Sequence, residues 1–177
     1  MLAKPAKQAM PLKPLTEPDA KHLLAAEGWL ELGNAIAAND ELENITPLMR
    51  AHPEVLECRL QIFIAAKQWD SALAVAETLT EQMPGRPAAW MAIAECLQQK
   101  GDTEGAYEAL AEVGEQFAEH PEVTYKLAVL AALIGQTAEA EDWLERALDV
   151  GGPRLKLKAL EDPTLKEFWQ KIGERTK

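Results

Sequence analysis

The chain has 177 residues, 47% of them hydrophobic, with 18 basic and 29 acidic side chains and a formal charge of −11. That length suits one globular domain or a short repeat array, and the acidic balance argues against non-specific binding to nucleic acid or anionic membranes. No apolar run reaches the roughly 18 residues of a membrane span, no continuous apolar leader is present, and the two cysteines form no disulfide framework, so a reduced, cytoplasmic setting is expected.

Residues 1–18 come first. They hold Pro5, Pro11, Pro14 and Pro18, three lysines (Lys4, Lys7, Lys13) and few bulky side chains. A basic, extended and disordered arm is expected there. From residue 19 onward a period of 34 organises the chain. Pro53, Pro87 and Pro121 lie 34 apart, and the same register reaches Asp19 one period earlier. It aligns Ala38, Ala72, Ala106 and Ala140, and also Gly33, Lys67, Gly101 and Gly135. His52-Pro53-Glu54-Val55 returns as His120-Pro121-Glu122-Val123. The period divides the chain into four units: 19–52, 53–86, 87–120 and 121–154.

Each unit reads as two antiparallel helices. A Pro at the first helical position loses no needed amide, and Gly can close the first helix in the left-handed conformation. Apolar residues recur at helical spacing, as in Trp90, Ile93, Ala94 and Leu97, and a second stripe holds Ala140, Leu144 and Ala147. The shared alanines suit close helix approach. Trp29, Phe63 and Leu97 occupy one register position and are expected to form the bulky side of that contact. Residues 155–177 depart from the repeat and should close the stack. There Gly151-Gly152-Pro153 leads into a helix over 154–160. Asp162-Pro163 starts another, with Leu165, Phe168, Trp169 and Ile172 on one face.

This pattern resembles the tetratricopeptide repeat over residues 19–154. The third unit fits best, through Trp90-Met91-Ala92-Ile93-Ala94, Gly101-Asp102 and Ala106. The first is weakest, because Asn39-Asp40 and Pro47 are expected to interrupt its second helix. In the second, Lys67 replaces the usual Gly. The resemblance implies an all-α fold, a right-handed superhelix (α-solenoid) of four helix-turn-helix units with a C-terminal capping segment. The stretches 28–34, 52–57 and 157–169 look like small stand-alone bacterial members of the family, which implies a bacterial origin.

No enzymatic constellation emerges, and no catalytic, cofactor or metal residue is assigned. His52 and His120 occupy equivalent turns in different units, which does not favour shared metal ligation. Cys58 and Cys96 lack CxxC spacing and read as small buried hydrophobes. Gly151-Gly152-Pro153 precedes no phosphate-loop Lys.

In the family the first helices line a concave wall. Carried over by position, that wall includes Glu27, Leu30, Glu31, Glu57, Gln61, Ile64, Met91, Glu95, Gln98, Tyr125 and Lys126. Its charged members, counted with Glu54 and Glu122, are six glutamates against Lys126 alone. The family's clamp for a C-terminal carboxylate needs Lys and Asn at two of these positions. The residues there are Leu23, Glu57, Met91 and Tyr125, then Glu27, Gln61, Glu95 and Val129, so that mode is rejected. The expectation is a non-enzymatic scaffold or adaptor whose partner is a protein or peptide, basic or mixed basic/apolar, with no nucleic acid and no membrane. The arm 1–18 offers itself as an alternative occupant, through self-association or in its own groove. A secretion-type chaperone and an accessory subunit of an enzyme complex are the other readings.

Overall fold

In the computed structural model, residues 14–166 are described; the expectations for arm residues 1–13 and for Phe168, Trp169 and Ile172 lie outside them. Among the described residues, these α-helices occur in chain order: α1 (Asp19–Glu31), α2 (Ala35–Glu43), α3 (Pro53–Ala65), α4 (Trp69–Gln82), α5 (Pro87–Gln99), α6 (Thr103–Ala111), α7 (Pro121–Leu133) and α8 (Thr137–Glu161). No strand occurs among the described residues. Three of the first helices open on the periodic prolines, whose missing amide hydrogen would have had no acceptor in a first turn. The fourth, α1, opens on Asp19. Its buried carboxylate accepts from the amide of Thr46 at 2.8 Å and from the Thr46 hydroxyl at 3.0 Å, tying the start of α1 to the segment after α2.

All four hairpin turns repeat one hydrogen-bond geometry. The amides of Asn34, Gln68, Asp102 and Gln136 donate to the carbonyls of Trp29, Phe63, Leu97 and Ala131, at 2.8 to 2.9 Å. This is the six-to-one bond of a helix closed by a left-handed residue. That residue is Gly33 (φ 75°), Lys67 (φ 55°), Gly101 (φ 86°) or Gly135 (φ 79°). Asn34 and Asp102 then cap the second helices through their side chains, at 3.0 Å to the Ala37 amide and 2.8 Å to the Gly105 amide.

Lys67 therefore holds a backbone conformation that costs a side-chain-bearing residue about 1 kcal/mol. Lys67→Gly should raise stability by about 0.5 kcal/mol, since the greater freedom of unfolded glycine offsets part of the relief. Gly101→Ala should lower it by about 1 kcal/mol. Urea midpoints at constant slope read both changes; a Lys67→Gly variant less stable than wild type by the full entropic cost of glycine would show that the turn carries no strain.

The alanine register is buried throughout: Ala38, Ala72, Ala106 and Ala140 have no exposed surface, and neither do Ala26, Ala94 and Ala128. The aromatic register is less uniform. Leu97 packs on a buried cluster and Phe63 is half-buried, but Trp29 is 39% exposed. Trp29 is therefore the least buried of the three residues expected on the bulky side of the helix contact. Asn39-Asp40 does not interrupt α2 either: both residues lie inside it, and the helix ends at Glu43 before a 3₁₀ turn at Pro47–Met49.

The chain divides at Arg86 and Pro87 into two compact units. In the first, Leu23, Ala26, Ala38, Leu42, Ile45, Val55, Cys58 and Ile62 form a buried cluster among α1, α2 and α3. In the second, Leu110, Leu127, Leu130, Trp143 and Leu144 anchor a larger one. The last helix breaks at Gly152 (φ 64°, ψ −166°), a combination open only to glycine, and Pro153 comes next. The chain then continues to Ala159 and Leu165, both buried in the same cluster. Asp162 caps the turn after α8, its carboxylate accepting from the Thr164 amide at 2.9 Å.

Candidate functional site

In the first unit the candidate residues lie on α1 and α3, which pack against each other. Glu27 and Glu31 are exposed on α1, with Leu30 between them half-buried against the core. On α3, Gln61 is exposed and Ile64 half-buried. Glu57 accepts a hydrogen bond from the Arg86 guanidinium, so its charge is already answered. Glu54 stands 4.0 Å from the His52 ring. Cys58 lies beneath this face: burial pushes its thiol up to about 11, and the Glu27 carboxylate adds to the rise. The thiol is held protonated at neutral pH, which removes it as a nucleophile.

Two features make this face electrostatically incomplete. Glu27 and Glu31 have no cationic partner among the described residues, and the last turn of α1 contains no basic residue. Carboxylates there meet the negative end of the helix dipole, an arrangement that a cation relieves.

In the second unit the candidates are more fully engaged. Lys126 on α7 donates to Glu95 at 3.1 Å and to Gln98 at 2.6 Å, both on α5. Burial alone would raise the Glu95 pKa, but hydrogen bonds from Gln99 and Lys126 outweigh it and hold the carboxyl below its ordinary value. Tyr125 is buried, and its hydroxyl donates to Asp162 at 2.7 Å. The Lys158 ammonium sits 4.7 Å from the centre of the Tyr125 ring. Burial, then the Asp162 carboxylate, pushes the phenol pKa upward.

Met91, Tyr125 and Lys126 line a cavity of about 700 Å³ whose other wall is the segment after the Gly152 break, through Arg154, Leu155 and Lys158. The repeat register did not place those last three residues, since they lie at or beyond the end of the final unit. The signals available were the Gly151-Gly152-Pro153 break and the basic surplus beyond it. Among the described residues no group of three or more His, Cys, Asp or Glu could hold a metal ion. None of the helices there is long and apolar enough to cross a membrane.

The tetratricopeptide-repeat profile matches residues 63–119 and 97–160, more than half of the chain. The chain belongs to the tetratricopeptide-repeat family. Its fold is that of an α-solenoid built from helix-turn-helix units. Among solved structures the crystal structure of MamA is similar, with a TM-score of 0.68 over 80% of this chain and 83% of that one at 14% identity. An identity that low speaks to the shared fold alone. No curated protein sequence matches significantly. Tetratricopeptide repeats are protein-interaction modules, which makes this chain an interaction scaffold by family. In that setting, the Lys67 turn is a family turn built without the family's glycine.

Proposed function

We propose that this tetratricopeptide-repeat protein is a non-enzymatic adaptor that takes a basic or mixed basic/apolar segment of another protein on the α1/α3 face of its first unit. The observation that carries this reading is the pair Glu27 and Glu31, exposed at the C-terminal end of α1 with no described counter-charge. Leu30 and Ile64 offer apolar area beside them. The carboxylates supply steering and orientation, and the apolar residues supply contact that excludes water.

Glu27→Lys/Glu31→Lys tests it cleanly, because neither residue holds the fold together, whereas Glu57 is bound to Arg86. Fluorescence anisotropy would follow a labelled lysine–leucine peptide on the full chain. The wild type should bind with an affinity that falls as salt rises, and the double variant should lose at least about tenfold, equivalent to ~1.4 kcal/mol. Binding indifferent to both salt and charge reversal would end this reading.

A further inference from the structure

The cavity of the second unit, unlike the α1/α3 face, is lined by three cations, Lys126, Arg154 and Lys158, against two acids, Glu122 and Asp162. Its two lining acids already have contacts that fix them in place: Asp162 accepts from the Tyr125 hydroxyl and the Thr164 amide, and Glu122 stands 3.4 Å from the His120 ring. One of its cations, Lys126, is spent on Glu95 and Gln98. Arg154 and Lys158 remain. Both are exposed, both line the cavity, and neither has a carboxylate partner among the described residues. They lie four apart on the helical stretch after Gly152, and so share one face. Like charges at that spacing destabilise a helix unless an anion lies between or beside them.

The surroundings are built rather than incidental. Lys158 is positioned by the Tyr125 ring, whose own orientation is fixed by the bond to Asp162. A cation over an aromatic face is attracted by the ring quadrupole, so the ammonium is held at the cavity wall. Half-buried Met91, Val129 and Leu155 supply an apolar floor beside the two charges. Two neighbouring cations, one of them held against an aromatic ring, beside an apolar floor match a carboxylate with a hydrophobic neighbour.

We infer that this cavity is a second binding site, specific for an acidic peptide segment in which Asp or Glu flanks an apolar side chain. Arg154 and Lys158 engage the carboxylates, Arg154 as a bidentate fork and Lys158 as a point charge. The apolar side chain rests on Met91, Val129 and Leu155. The site is independent of the α1/α3 face and takes a ligand of opposite charge.

The experiment uses the full chain and two labelled probes, a glutamate–leucine peptide and its lysine–leucine counterpart, read by fluorescence anisotropy. The glutamate–leucine probe should bind wild type, and Arg154→Glu/Lys158→Glu should weaken it by at least about tenfold. Glu27→Gln/Glu31→Gln, which removes the acidic pair without creating a cationic one, should leave that affinity within about twofold. Arg154 and Lys158 are exposed, so circular dichroism of the double variant should match wild type; as a second probe of the same site, Met91→Asn should remove part of the apolar floor without changing the charge and also weaken binding. No binding of the acidic probe, an affinity untouched by Arg154→Glu/Lys158→Glu, or an effect confined to the Glu27/Glu31 variant would each overturn the inference.

Discussion

Leu127→Ala should lower the stability of the second unit by about 3–4 kcal/mol, within the range for truncating a leucine that the surroundings cannot close over. Leu127 has no exposed surface and sits mid-way along α7 in the larger buried cluster. Its neighbours restrict collapse. Its Cδ1 atom abuts the connection between α6 and α7, where a side chain added at Gly114 would meet it at 3.0 Å. The same cluster holds Ala106, Ala128 and Ala140, which cannot extend into a void. Urea unfolding, with hydrogen exchange of the α7 amides as the local readout, should show the loss in that unit. A cost below about 1 kcal/mol would mean that the core closes around the truncation, contrary to this packing.

The reason such a core could be anticipated lies in the repeat itself. An alanine that recurs every 34 residues records a distance between helix axes, and each of the four proves to be sealed from solvent. The left-handed turn residues are legible for the same reason: the backbone demand is local, and glycine answers it at three turns of four. Trp29 shows where periodicity stops. Its carbonyl makes the same turn bond as those of Phe63 and Leu97, so the backbone obeys the register, yet the ring is 39% exposed. The extent of side-chain burial is set by what packs around the ring in three dimensions, which the 34-residue period does not encode.

The candidate site divides along the same line. On α1 and α3 helical register indicates which residues share a face but not their burial: Glu27 and Glu31 are exposed, whereas Leu23 and Cys58 are buried. The second unit diverges because Lys126 neutralises Glu95, and because the segment beyond Gly152 contributes Arg154 and Lys158 to the cavity. A tally of wall charges cannot see a pairing between helices 31 residues apart, as between Glu95 and Lys126. Nor does it include residues after the final repeat. The break at Gly152 ends the helical phase, so the direction of the segment from Pro153 onward is set by tertiary packing alone.

Gly114 offers the converse of the leucine experiment. It is buried in the connection between α6 and α7, and its φ is not in the left-handed region, so the demand on it is purely one of space. A Cβ there would stand 2.7 Å from Cη2 and 3.1 Å from Cζ2 of Trp143. The indole cannot swing away freely. It is 8% exposed, and Arg146 lies 4.7 Å over its ring while bonded to Glu115 at 2.7 Å and Asp142 at 3.1 Å. Gly114→Val should therefore cost about 3 kcal/mol, the upper part of the range for overfilling a packed core. Trp143→Phe removes the outer ring atoms and should itself cost about 1–2 kcal/mol through the space it leaves. In the double variant the valine occupies part of that space, so the combined cost should fall short of the sum of the two by at least about 1 kcal/mol. Strict additivity in urea unfolding would show that something other than the indole resists a side chain at position 114.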